Sequence, residues 1–177
     1  MKLRIITTVL QGFLCLTLAA CGGSRAVQHD NVPATLSAPE GQKLVETLHA
    51  VGVQIYVCQA AKDDPTRLEW AFKAPEADLK GRGGRSVGKH YAGPSWEAKD
   101  GSKVVGSPVA KESPDPKSIP WLLLTAKTTS GKGIFSDVRS IQRLRTVGGM
   151  APAGSCGQPM LGQELRVSYS ADYLFYR

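Results

Sequence analysis

From Glu40 onward, apolar and polar positions alternate with a period of two, the spacing of residues that share one face of a strand. Val53, Ile55 and Val57 alternate with Gln54, Tyr56 and Cys58, and Leu68, Trp70 and Phe72 alternate with Glu69, Ala71 and Lys73. Trp121-Leu122-Leu123-Leu124 is an unbroken apolar run after Pro120, suited to a strand covered on both faces. The aromatic-rich C-terminus, Tyr169 to Arg177, stops inside a strand pattern and is expected to dock into a sheet. Between Trp96-Glu97-Ala98-Lys99 and Ser102-Lys103-Val104-Val105 lies Asp100-Gly101, a pair that tolerates positive φ. Read as a two-residue turn, it pairs Lys99 with Ser102, Glu97 with Val104 and Trp96 with Val105.

Turn signals fall at Asp63-Asp64-Pro65, Gly81 to Gly84, Ser113 to Pro116, Gly131 to Gly133 and Gly148-Gly149. Only Gly41 to Ala50 is ambiguous between helix and strand, and there are no internal repeats. With 19 glycines and 11 prolines, this punctuation predicts an all-β fold. The expected form is a single antiparallel β-sandwich or barrel-like domain over residues 40–177, with short loops and little helix.

The first twenty residues follow a different grammar. Lys2 and Arg4 precede an uncharged run from Ile5 to Ala20, and Leu18-Ala19-Ala20-Cys21 resembles the bacterial lipobox. The run is shorter than the ~20 residues that span a bilayer as a helix. A positive head, an apolar body and small residues before a cut site predict a cleaved signal peptide over 1–20. Cys21 is then acylated and anchors the chain in a membrane. Cys15 competes poorly as the acylated thiol, because bulky Phe13 and Leu14 precede it. Residues 21–39 lack periodicity and read as a tether. By resemblance to lipoprotein sorting rules, Gly22 directs the protein to the outer membrane, facing the periplasm or the cell surface.

Removal of Lys2 and Arg4 leaves 20 basic against 15 acidic side chains, a moderate balance of +5. The basic residues are scattered among acids, except for Arg139, Arg143 and Arg145, and read as a solvated surface. No nucleic-acid-binding module is present in the pattern. Of the cysteines, Cys15 leaves with the signal and Cys21 carries lipid. In an oxidising compartment the remaining pair, Cys58 and Cys156, reads as a disulfide.

Several blocks recur in order as they do in one group of exported bacterial and fungal proteins. They include Gly52 to Cys58, Trp70 to Ala77, His90 to Glu97, Ile119 to Leu124, Ser140 to Arg143, Thr146 to Gly149 and Tyr173 to Tyr176. From about Pro33 to its end the chain resembles the DUF3455 family, a domain of unknown function. The resemblance implies one β-rich secreted domain and no particular activity. Some relatives of this kind carry a dehydrogenase label. Here, however, Gly81-Arg82-Gly83-Gly84-Arg85-Ser86 has serine at the third glycine of a dinucleotide fingerprint and lacks a strand-to-helix setting. Before Gly131-Lys132, a phosphate loop would need glycine at Ala126 and Ser or Thr at Gly133. No cofactor is implied.

Candidate chemistry is sparse. His49 and His90 with Glu97 or Asp172 are ligand-type residues, but none sit at a recognised metal spacing. His29 lies in the tether. Ser95 lacks the glycine two residues on that a nucleophile elbow uses. The strongest binding candidate is His90-Tyr91 to Trp96-Glu97, where two aromatics flank a Gly-Pro corner beside a carboxylate. The simpler alternative is that Trp96 is core and Tyr91 caps the sheet. Arg143 is the further candidate, as a structural arginine paired to Glu97 or Asp172 or as an anion clamp.

The expectation is therefore a non-enzymatic envelope lipoprotein whose β domain binds a small molecule, a glycan or a protein. The candidate ligand residues are His90, Tyr91, Trp96, Glu97 and Arg143. The alternative is a hydrolase working through acids near Glu97, with Asp100 and Asp172 as available partners.

Overall fold

A computed structural model describes residues 32–177. The expected signal peptide, Cys21, His29 and the first part of the tether lie outside the described residues. Over these residues the chain is all-β, with eight antiparallel strands closed into a barrel in sequential order. They are β1 (Leu44–Ala60), β2 (Leu68–Lys80), β3 (Ser86–Tyr91), β4 (Ser95–Ala98), β5 (Lys103–Glu112), β6 (Trp121–Ser130), β7 (Ser140–Gly148) and β8 (Glu164–Tyr176). The ambiguous segment before Ala50 is the first part of β1. Each of the expected turn clusters lies in a connection between strands or at a strand end.

Closure comes from β1, which pairs with β2 on one side and with β8 on the other. On β8 the odd residues Tyr169, Ala171, Tyr173 and Phe175 all enter the core, where they meet Leu48, Ala50, Leu79, Trp96, Leu124 and Ile141. The period-two pattern of the C-terminus is thus the inner wall of the barrel. On β1 the polar-looking set is buried: Gln54, Tyr56 and Cys58 are almost inaccessible, as is Ile55 at the bulge before Tyr56. Tyr56 satisfies its hydroxyl by donating to the Gly149 carbonyl at 2.6 Å. Cys58 is bonded to Cys156 across a Cα–Cα distance of 6.0 Å, as the pairing of cysteines predicts. This bridge closes a separation of 98 residues and ties the β7–β8 connection to the end of β1. The chain-entropy argument values such a loop at about 4.7 kcal/mol at most.

Two sequence expectations need correction. The β4–β5 hairpin pairs Ser95 with Val105, Trp96 with Val104 and Glu97 with Lys103, one residue off the register predicted from a two-residue turn. The loop holds three residues, because Ala98 N–H donates to Ser102 O at 2.8 Å and Gly101 N–H to Ala98 O at 3.0 Å. Gly101 takes the left-handed position of that loop at φ 87°. Asp100 fixes the geometry: one carboxylate oxygen accepts from Ser102 N–H and Oγ, and the other from Ile134 N–H at 2.9 Å. The observed register seals Trp96 and Val104 inside and leaves Glu97 outside.

The second correction concerns the tether expected to run to Pro39. Its last part folds against the barrel, with a 3-10 turn at Ala34–Leu36 and Leu36 fully buried. Leu36 packs on Leu123 and Leu144, and Gln142 Nε2 donates to its carbonyl at 2.6 Å. This explains the unbroken run on β6: Leu124 faces the interior while Leu123 is covered from outside by Leu36. Removing the side chain in Leu36→Ala should lower the unfolding free energy by about 2–5 kcal/mol in urea denaturation. A loss under about 1 kcal/mol would show that residues 33–37 are not part of the fold.

Candidate functional site

Eight strands enclose a volume that side chains alone can fill or that admits one small ligand. Here the filling is incomplete. A cavity of about 360 Å³ opens among Gln54, Tyr56, His90, Trp96, Arg143 and Tyr173. Its walls continue through Pro75, Pro94, Pro108, Ile119, Pro120, Leu122 and Leu124. Phe72 and Met150 line it too, yet both are largely exposed, which puts them at the mouth. Phe72 stands edge-on to the Tyr56 ring at 5.9 Å.

An aromatic stack forms the boundary between cavity and core. The His90 and Trp96 rings lie parallel, 4.6 Å apart and 12° between planes. Tyr173 and Phe175 meet Trp96 edge-on at 5.2 Å and 6.1 Å. The indole fits because β5 places Gly106 opposite it; a Cβ there would stand 3.0 Å from the ring. His90 Nδ1–H donates to Ser95 O at 2.8 Å, which leaves Nε2 as an acceptor in the neutral ring. Burial pushes the imidazole down to about 3, against the Ser95 carbonyl, which favours the proton; the Arg143 charge adds to the depression. Burial likewise raises the phenols of Tyr173 and Tyr56.

Two donors of the lining, Gln54 Nε2 and Trp96 Nε1, are buried with no hydrogen-bond partner among the described residues, while the buried Tyr173 hydroxyl has Tyr169 and Arg143 beside it. Buried donors left unmade cost about 1–3 kcal/mol each, so two of them on one cavity are a feature to be explained. Arg143 is held by Nε–H donation to Pro120 O at 3.0 Å. Among the described residues, no aspartate or glutamate lines the cavity.

The residues proposed from sequence therefore divide across the barrel wall. His90, Trp96 and Arg143 come together at the cavity. Tyr91 and Glu97 are on the outer surface, where the phenol donates to the Glu97 carboxylate at 2.5 Å and Lys103 Nζ sits 5.0 Å from the ring centroid. The alternation of β3 and β4 requires this, since neighbours in a strand point to opposite faces. Arg143 pairs with neither Glu97 nor Asp172.

Instead, Asp172 accepts from Arg145 Nε and His49 Nδ1, both at 2.6 Å, on the outside. His49 and His90 do not meet. Arg143 and Arg145 would share a face in a regular strand. A bulge between Leu144 and Val147, with Arg145 at φ 49°, separates them. The three acids suggested for hydrolysis are each engaged elsewhere: Glu97 by Tyr91, Asp100 by the hairpin loop, Asp172 by Arg145 and His49. Sequence reading missed Gln54, Tyr56, Phe72 and Tyr173 as site residues. The one signal for them was a glutamine amid apolar neighbours in a strand, whose inward direction the pattern alone does not fix.

A family model described as a protein of unknown function, DUF3455, matches residues 39–177. No curated protein and no solved structure matches the chain.

Because His90 is buried neutral and its unfolded pKa is about 6.5, the unfolded chain binds the extra proton. Stability is full above about pH 6.5 and falls as pH drops toward 3, by up to about 1.4 kcal/mol per pH unit. Asp64, Asp100, Asp115 and Glu164 have lowered pKa values and stay ionised between about pH 6.5 and 5. His90→Phe should therefore flatten the stability slope in that window, read from urea unfolding at several pH values. An unchanged slope would show that His90 does not carry it.

Proposed function

We propose that this chain, which belongs to the DUF3455 family, is an exported lipoprotein. Its barrel holds a small ligand in the cavity floored by His90, Trp96 and Tyr173. The observation that carries the binding reading is the set of unpartnered buried donors around a mostly apolar cavity. Concave, mostly apolar sites with a few convergent polar groups are the usual form of a small-molecule site. The apolar walls supply affinity, and the polar atoms supply orientation once a ligand satisfies them.

The signal grammar of residues 1–20 and the lipobox at Leu18 to Cys21 support the envelope location. The bonded pair Cys58–Cys156 is in keeping with an oxidising compartment. A hydrolase reading has less behind it, since no carboxylate reaches the cavity and each candidate acid already holds a structural partner.

Two measurements test the two halves of this reading. Cys21→Ser should move the protein from the membrane fraction to the soluble fraction without loss of fold; retention in the membrane fraction would overturn the lipid anchor. In a thermal-shift panel of neutral, anionic and cationic small molecules, at least one ligand at about 100 times its Kd should raise Tm by about 5–10 °C. The cavity-filling substitution Leu122→Trp should abolish that shift while the circular dichroism spectrum stays unchanged. A silent panel, or a shift that persists in Leu122→Trp, would remove the cavity from the account.

A further inference from the structure

Four features decide what chemistry the cavity accepts, and they agree. The first is the bias of its polar atoms toward donation. Trp96 Nε1 and Gln54 Nε2 are donors only, and the Tyr173 hydroxyl, beside Arg143, has a proton to give. The second is the placement of Arg143. Its Nε is occupied by the Pro120 carbonyl at 3.0 Å, so the stem is oriented while the terminal fork is held by no carboxylate among the described residues. The third is charge. Arg143 and Lys73 line the cavity and no acid among the described residues does; Lys73 is already paired to Glu164, and His90 is neutral. The fourth is shape: the remaining walls are aliphatic, aromatic and proline surfaces.

A guanidinium facing a low-dielectric space without a counter-charge interacts strongly with an anion that enters. Its planar fork matches the two oxygens of a carboxylate, whereas a point charge would not discriminate them. An amine would meet two cations and no acceptor charge. A neutral polyol would leave the guanidinium unanswered and would set hydroxyls against apolar walls. From this we infer that the cavity receives a small carboxylic acid with an apolar, ring-bearing or alkyl body, its carboxylate on Arg143 and its body against Trp96 and Leu122. The inference rests on the ligand-binding reading above and adds the chemical class of the ligand. Phe72 and Met150, exposed at the mouth, give the apolar body its entry surface.

The test uses the full chain in a non-ionic detergent, with isothermal titration of naphthoate, naphthamide, naphthylmethylammonium and naphthyl phosphate. Naphthoate should bind at least about tenfold more tightly than naphthamide, the margin expected of a charge-assisted pair, and the ammonium compound should not bind. Arg143→Gln should remove the preference, so that the variant binds naphthoate and naphthamide alike. Arg143→Lys should restore only part of the difference, because it returns charge without the fork. If Arg143→Gln fails to fold, the naphthoate-to-naphthamide ratio of the unaltered chain still decides the matter.

Equal binding of the acid and the amide, or a preference that survives Arg143→Gln, overturns the carboxylate assignment and leaves cavity binding standing. Tighter binding of naphthyl phosphate than of naphthoate overturns it in favour of a phosphate ester. If none of the four binds while another class in the thermal-shift panel does, the carboxylate assignment alone falls. If none binds and the panel is silent, both readings fall.

Discussion

Closure of the sheet through the pairing of β1 with β8 is the constraint on which the rest of the molecule depends. Once the two ends of an eight-stranded sheet bond to each other, no edge is left to protect. Every second residue must then find a place in one narrow interior. Leu48, Leu79, Leu124, Ile141 and Phe175 answer this by packing. Trp96 does so only because glycine occupies position 106. The stack of His90 on Trp96 marks where packing stops and the cavity begins. A protein that needed only stability would complete that packing, since voids and unpaired buried donors both destabilise.

The same closure explains the electrostatics. An ion on the inner face is removed from most of the water that would screen it, so its neighbours decide its state. His90 gives up its proton under burial, while Arg143, which cannot, keeps its charge close to four aromatic residues. Toward solvent, by contrast, on the outer face and at the cavity rim, charges are consumed in pairs that link strands: Arg145 and His49 with Asp172, Lys73 with Glu164, Arg166 with Glu76. Exposed pairs of this kind add little stability each, but they leave the acids of the barrel committed to the surface. The asymmetry between an outside rich in paired charges and an inside with unanswered donors is the basis of the proposal that the cavity prefers an acceptor-rich guest.

Attachment follows from the outer wall. The apolar run on β6 has two faces to cover, and the barrel interior covers only one. Leu36 and the 3-10 turn around it cover the other, anchored by Gln142, which also accepts from the Tyr176 hydroxyl. The segment that leads back toward the expected lipid is therefore fastened to the barrel at this point, so any tether ends by about Val32.

By itself the sequence determined the elements: strand period, turn positions, the cysteine pair and the all-β class follow from interactions between near neighbours or from residue type alone. His90, Trp96 and Arg143 were legible as residues of interest, because a histidine and a large aromatic flank a Gly-Pro corner and Arg143 lies in the one dense arginine group. What the pattern does not contain is which face of a strand points inward, since a period of two has two equivalent phases. That choice divided Tyr91 and Glu97 from His90 and Trp96, and a one-residue difference in loop length set the hairpin register. The burial of Leu36, the outward swing of Arg145 at its bulge and the assembly of Gln54, Tyr56 and Tyr173 around one space arise only when strands distant in sequence are brought together. The physical reason is that inside and outside are properties of the closed barrel, and no single strand possesses them before it closes.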